Sequence, residues 1–345
     1  MVRMNKSSKK FILHTLLGAG ILLIFLTLVG WGEIISAIRG ATPRLLFLGL
    51  LAGVLANLVR GFVWKSVFDS FGYRYTLSEL FKIYYTGAFA NGVTPVGMAG
   101  GEPFVAYLTS KKHDLKYEEV LGAIFSSDIM IYVPFLTLSV LGLFYFLTLY
   151  HSQPILSLLA AFILLPSIII ILFFLGTWHK RDLVKKAAVY IEKFVKTSIN
   201  FIKMRWDEVF EVETNGVDEK VERFYESFEF AFSNKSAVAE AVIISHLSRV
   251  LDVASLYAFI LAMGIGPSFL AVFFLVPMAG LGFFLPLPGG LGSQQLILSI
   301  LLVLIANVPL SVASASVLLY RLSTYGVVMV VGGVFASKMS KKVLG

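Results

Sequence analysis

The sequence predicts an all-α polytopic membrane protein. About six full transmembrane helices are expected, plus two re-entrant broken-helix hairpins in an inverted repeat, with a cytoplasmic amphipathic helical hairpin between the halves. Three observations carry this. Hydrophobic residues make up 57% of the 345 and charged residues 14%, a balance that a soluble domain cannot hide. Several apolar runs reach the twenty or so residues that a helix needs to cross a bilayer. Two segments, 94–103 and 286–295, place proline and glycine inside strongly apolar sequence at corresponding positions of the two halves. Backbone groups freed by such breaks are tolerable in lipid only where they line protein or a cavity, so paired breaks point to a transporter's binding site.

In chain order, residues 11–30 follow Lys6, Lys9 and Lys10 and resemble a signal peptide in outline. Without a small-x-small cleavage site, and with enough length to span, they read as a retained anchor. Full spans follow at 44–68, 118–148, 154–176, 237–263 and 313–336, and the interrupted segments occupy 81–110 and 267–309. If each interrupted segment returns to its own side, six crossings put both termini on one face. Lys and Arg then gather there, at the N-terminus, Arg74, Lys111, Lys112, Lys116, after residue 178 and at Lys338, Lys341 and Lys342, leaving little beyond Arg39 and Arg44 opposite. Both termini are expected to be cytoplasmic, in a multi-pass protein of the plasma membrane. A second reading takes the broken segments as kinked full spans; eight crossings give the same sidedness.

The organisation expected is a membrane half at 1–177, a cytoplasmic segment at 178–236 and a second membrane half at 237–345. The units 44–148 and 237–336 each run span, hairpin, span in opposite sense, an arrangement suited to alternating access. Residues 178–235 carry 11 Lys or Arg against 11 Asp or Glu. Val184, Ala187, Ala188, Ile191, Phe194, Val195 and Ile202 form one apolar face, Asn215-Gly216 a turn, and Val217, Val221, Phe224, Tyr225, Phe228 and Phe232 a second face. The pair is expected to pack on itself and on the membrane surface; contact with anionic lipid is the alternative. The chain's net +8 comes from membrane-flanking residues, so no nucleic-acid partner is implied.

Ionisable residues inside spans cost roughly 2.5–3.5 kcal/mol each unless paired or wetted, and mark function by default. Arg60 lies in the second span with Asn57 and Trp64 on nearly the same face. Asp128 lies in the third, without a cation in its own helix, and needs a partner or a proton. His246, Arg249 and Asp252 recur every three residues, and Arg249 stands about 18 Å past Ala237, near mid-bilayer. Arg321 lies in the last span. These residues form an expected anion site. The structural alternatives are mutual neutralisation of Arg249 and Asp252, snorkelling of Arg60 and Arg321 to the headgroups, and an interior histidine at 246.

At the breaks, Glu102-Pro103 opens a helical run through Tyr107, with Pro103 where its missing N–H costs nothing. Gly100 and Gly101 allow backbone amides to approach a ligand, and a helix N-terminus suits a phosphate or carboxylate. Ser293 reads as the N-cap of a helix through Val308, after Gly289, Gly290 and Gly292. In the alternative, Glu102 and Ser293 only cap these helices. The expected binding set is Arg60, Thr94, Gly100, Gly101, Glu102, Tyr107, Asp128, His246, Arg249, Asp252, Pro288, Gly289, Gly290, Gly292, Gln295 and Arg321. No catalytic residue, metal ligand or cofactor is expected: there are five His, no Cys, and no H-E-x-x-H or P-loop motif.

The T-P-x-G-x-x-G-G-E-P core of residues 91–107 and the P-x-P-G-G-L-G of 286–295, with Arg60-x-x-x-Trp64 and Leu319-Tyr320-Arg321, resemble the flippase-like transmembrane domain of lysylphosphatidylglycerol synthases, or multiple peptide resistance factors. The resemblance implies a membrane domain associated with translocation of phospholipid or another polar lipid; some relatives are linked to lipid-carried sugars. Gln295 stands where the motif commonly has Glu. No aminoacyl-transferase domain follows Gly345, so synthesis of lysylphosphatidylglycerol is not expected. The leading expectation is a transporter or flippase for an anionic phospholipid or a polyprenyl-phosphate-type lipid. An intramembrane enzyme or accessory factor acting on a lipid-linked sugar and a non-transporting scaffold are the rivals, and homo-oligomerisation is left open.

Overall fold

The computed structural model describes residues 29–73, 75–93, 101–150, 217–280 and 288–344, with positions 20, 23, 24 and 27 of the first apolar run. The predicted span 154–176, the first arm of the charged hairpin, most of 11–30, and residues 94–100 and 281–287 lie outside them. The described residues are helical throughout and contain no strand.

Among the described residues four helices are long and apolar enough to cross a membrane, and each falls on a predicted span. Helix α1 (Trp31–Arg39) precedes them and was not anticipated, because nine residues flanked by Gly30 and Gly40 are too short to read as a span. Helix α2 (Pro43–Ser70) starts with proline in its first turn, where no N–H is needed. Helices α3 (Leu77–Val93) and α4 (Gly101–His113) flank the first break. Helix α5 (Tyr117–Tyr150) is the next long helix, and α6 (Val217–Ser233) is the second arm of the charged segment. Helix α7 (Lys235–Ala262) is capped by Asn234, whose side chain accepts the Ala237 N–H at 3.1 Å. Helices α8 (Phe269–Ala279) and α9 (Ser293–Leu304) flank the second break. The final span is α10 (Leu310–Arg321), a π-turn (Leu322–Gly326) and α11 (Val327–Leu344) in one run.

The helices at the breaks are short. At 1.5 Å per residue α3 and α4 reach about 25 and 20 Å, and α8 and α9 about 17 and 18 Å, against roughly 30 Å of hydrocarbon. Helices α3 and α4 pack on each other, and Lys112 Nζ near the end of α4 meets Glu79 Oε1 at the start of α3, 2.7 Å apart. The start of α3 and the end of α4 therefore lie together. In the second pair, Ala271 and Val272 at the start of α8 share an apolar cluster with Leu302 and Ile305 at the end of α9.

Among the described helices α2 and α7 make the most extensive contact, through small residues. Gly49 lies against the Phe259 ring, where an added Cβ would stand 2.8 Å from Cε1, and Gly53 lies against Ser323 and Ser255. The Ser255 hydroxyl donates to the Gly49 carbonyl at 2.7 Å. Without a hydrophobic drive between helices in lipid, this close backbone approach and these hydrogen bonds supply the association. Around this pair the contacts are reciprocal: α3 packs on α11 and α8 on α5; α2 on α5 and α7 on α10; α4 on α5 and α9 on α10. The outer faces stay apolar, with Phe47, Leu51, Phe144, Ile243, Leu247 and Val330 exposed, while Ser126, Ser127, Ser245, Ser248, Ser314 and Ser316 are buried.

Helix α6 packs against α5. Gly122 admits Ser227 and the Phe224 backbone, Phe125 meets Phe224 edge-on at 5.9 Å, and Phe230 reaches Phe71 at 4.9 Å between ring centres. The predicted apolar face at Val221 and Tyr225 is the buried one.

Candidate functional site

Arg60 on α2 and Arg249 on α7 converge on one carboxylate. Arg60 Nη2 donates to Asp252 Oδ2, and Arg249 Nη1 donates to the same oxygen at 2.9 Å. The Asp252 side chain is fully enclosed, and the two arginines are 14% and 15% exposed, so the group lies in the interior. Asn57, one turn before Arg60, accepts from Arg60 Nη1 at 2.9 Å. Its amide donates to the Thr324 carbonyl at 3.0 Å and the Gly53 carbonyl at 3.2 Å. Thr324 lies in the π-turn, whose widened register leaves carbonyls in need of outside donors. Arg60 is thus held between helices rather than snorkelling.

A second group is acidic. The Asn91 Oδ1 atom accepts the Gly101 N–H at 2.7 Å and so caps α4, while Asn91 Nδ2 donates to Glu102 Oε1 at 2.6 Å. Glu102 is buried, with the amides of Gly101 and Glu102 close to its carboxyl. The first amides of α4 therefore already face the protein's own groups. Gly101 is small because a Cβ there would press on the Gly87 carbonyl and the Asn91 backbone of α3. Across from Glu102, within hydrogen-bonding reach, is the Asp128 carboxyl of α5, whose Oδ1 accepts the Trp64 indole N–H at 3.2 Å. Trp64 is one turn beyond Arg60, so α2 presents one side chain to each group.

The second break forms a third group. Pro288–Gly290 is a tight turn in which Gly289, Gly290 and Gly292 have φ of 57°, 64° and 81°, a region that disfavours any side chain. Arg321 Nη2 donates to the Gly289 carbonyl at 2.7 Å and lies over the Tyr325 ring at 4.5 Å. The Tyr325 hydroxyl donates to the Gly92 carbonyl at 3.2 Å, joining the end of α3 to the second break. Arg321 is buried here, not snorkelling. Ser293 is not the N-cap: Gly292 holds that place, and Ser293 Oγ donates back to the Gly290 carbonyl at 3.2 Å. Helix α9 also ends at Leu304, before the expected Val308. Gln294 and Gln295 are buried, and the side-chain oxygen of each has no hydrogen-bond donor among the described residues.

Of the predicted set, Arg60, Arg249 and Asp252 form one cluster, Glu102 and Asp128 a second, and Arg321 and Gly289 a third. His246 is turned away: Nδ1 meets the Val242 carbonyl at 2.8 Å and Nε2 lies 3.3 Å from the Thr137 hydroxyl of α5. Tyr107 packs with the apolar cluster around Phe104 and Leu108. Thr94 and Gly100 lie outside the described residues. Three phenols, buried at Tyr84 and Tyr320 and half-buried at Tyr132, stand near the charged groups and escaped the sequence reading. Tyr84 of α3 faces Arg60 and Asp128; Tyr132 of α5 faces Asp128, Glu102 and Arg249; Tyr320 of α10 faces Asp252 and all three arginines. Aromatic residues in apolar helices carry no distinguishing signal, although Arg321-x-x-x-Tyr325 at i, i+4 was readable. An open cleft of about 510 Å³ lined by Glu33, Ser36, Met263 and Ser311 lies at α1, away from these charges, and contains none of them.

A helical membrane protein whose arginines and carboxylates gather in its interior as three separate groups is what this fold and site define. The chain belongs to the family described as the lysylphosphatidylglycerol synthase TM region, whose model matches residues 11–332. It is similar to UPF0104 membrane proteins of Methanocaldococcus jannaschii (26% identical, covering 88% of this chain and 87% of the relative), Methanothermobacter thermautotrophicus (24%, 94% and 94%) and Pyrococcus horikoshii (24%, 96% and 98%).

Proposed function

We propose that the chain is a flippase-like transporter that binds the headgroup of an anionic phospholipid or polyprenyl-phosphate-type lipid between its two halves. The observation that carries this is the charge imbalance at Asp252: two guanidinium groups share one carboxylate in the interior. With Arg60 and Asp252 neutralising each other, Arg249 is the surplus cation, and its buried Nε has no acceptor among the described residues. A phosphate entering between the helices supplies that acceptor, while the apolar outer faces leave the tails in lipid. The reciprocal packing of the two units about α2 and α7 supports an inverted repeat, with the short hairpins re-entrant and alternating access by exchange of their conformations.

The test uses proteoliposomes containing, in turn, a fluorescent anionic phospholipid, its zwitterionic counterpart and a polyprenyl phosphate. Leaflet exchange of the anionic lipids, unaltered chemically and slowed at least tenfold by Arg249→Gln, is the expected result. That variant keeps the Arg60–Asp252 pair, so loss of movement is not loss of the fold. Movement indifferent to headgroup charge overturns the reading, and a chemically altered lipid replaces it with an enzyme. For sidedness, cysteines introduced at Asn5, Gly216 and Lys341 of this cysteine-free chain should all label from the cytoplasm. Labelling of Lys341 from outside would overturn the assignment of both termini to that face.

A further inference from the structure

Glu102 and Asp128 are brought together by α4 and α5, and each spends one oxygen on a neutral donor: Oε1 of Glu102 on the Asn91 amide, Oδ1 of Asp128 on the Trp64 indole. The remaining oxygens, Glu102 Oε2 and Asp128 Oδ2, are both enclosed and have no donor among the described residues. Asp128 is half-buried as a residue, but its exposed part is not Oδ2. Ionised carboxylates only accept hydrogen bonds, so two facing each other in an enclosed site repel unless one proton lies between them.

We propose that Glu102 and Asp128 share a single bound proton, making a proton-binding site in the membrane interior. The groups around it are accounted for helix by helix. Helix α2 contributes Trp64, with Arg60 one turn away and committed to Asp252; α3 contributes Asn91 and Tyr84; α5 contributes Tyr132; α7 contributes Arg249, which faces Tyr132 and is itself bound to Asp252. Helix α11 carries its charges only from Lys338 onward, in its last two turns. Among the described residues no hydrogen bond or ion pair joins any of these cations to Glu102 or Asp128, and the side chains that donate to them are neutral. The site is independent of which lipid is moved. Because Trp64 donates to Asp128 one turn from Arg60, and Tyr132 lies near both carboxyls and Arg249, release of the proton creates a second negative charge next to the arginines. Proton release thereby competes with an entering anion for the arginines.

Infrared spectroscopy of the purified full-length protein at neutral pH, in H₂O and D₂O, tests this without any transport assay. Wild type should show one protonated carboxyl C=O band per chain, shifted in D₂O. Glu102→Gln and Asp128→Asn should each abolish the whole band, because the new amide N–H replaces the shared proton and leaves the remaining carboxyl ionised. Loss of half the band in each variant means two independent acids, and an absent band means two carboxylates; either overturns the proposal. Should a variant fail to fold, as judged by its melting, the band area of the wild type still decides: one carboxylic acid per chain supports a shared proton, and none or two refutes it.

Discussion

Replacing Asp252 by asparagine keeps the shape of the side chain and deletes the one negative charge that two arginines share. The side chain is fully enclosed and its partners are about 85% so, which places the interaction in the regime where removing one member of an ion pair is expensive. Each charge-assisted hydrogen bond contributes on the order of 1.5–3 kcal/mol, and breaking a buried pair costs about 3–5 kcal/mol. Arg60 keeps the Asn57 oxygen, so the lower part of the combined range applies, about 3–4 kcal/mol. Melting in detergent should fall by on the order of 10 °C. Adding an anionic lipid should recover part of that loss, because it supplies the missing charge. The companion variant removes all three charges together, Arg60→Met, Arg249→Met and Asp252→Leu. Similar volume without buried charge should melt near wild type while anionic lipid no longer binds. The reasoning fails if Asp252→Asn melts with wild type, or if anionic and zwitterionic lipids restore it equally.

Three further outcomes follow from the geometry. Asn57→Leu deprives the Thr324 carbonyl of its donor and Arg60 of an acceptor, and should cost about 1–3 kcal/mol, read by denaturant unfolding; an unchanged midpoint would mean that the π-turn is satisfied otherwise. Gly53→Leu drives a side chain into Ser323 and Ser255 and should cost at least about 1–3 kcal/mol, whereas Gly72→Asn, at a positive φ with open space around it, should cost far less. Glu79 lies outside the spans and is held down at about 2, chiefly by the hydrogen bond from Lys112. Its folded value is below its unfolded one, so its contribution is fully present above the usual carboxylate range and is lost as the pH falls toward 2. Glu79→Gln should therefore lower stability modestly at neutral pH, since the part-buried pair is still screened by solvent, and its profile should flatten on the acid side and meet that of wild type near pH 2.

Much of the architecture was readable from local sequence because a bilayer restricts the choices. Residues 44–68, 118–148, 237–263 and 313–336 each form one long helix, since apolar runs of that length have no other way to satisfy their backbone in lipid. Proline and glycine located both breaks for the same reason. Helix α1 escaped, being too short to leave a hydropathy signal, and so did the π-turn, which is a register shift within an apolar run. The charged residues were also legible individually, because arginine, aspartate and glutamate are conspicuous in apolar helices. Their partners were not. Arg249 and Asp252 pair at i, i+3, which helix geometry dictates, but Arg60 with Asp252, Trp64 with Asp128 and Arg321 with Gly289 join helices far apart in the chain. Asn91, expected only as part of a motif, caps α4 and grips Glu102, while His246, one turn from Arg249 in sequence, faces α5 instead. Sequence determines which residues are costly to bury; only packing between helices decides what meets them, because a charge in the membrane interior is stabilised by whichever helix the small residues of its neighbours allow to come close.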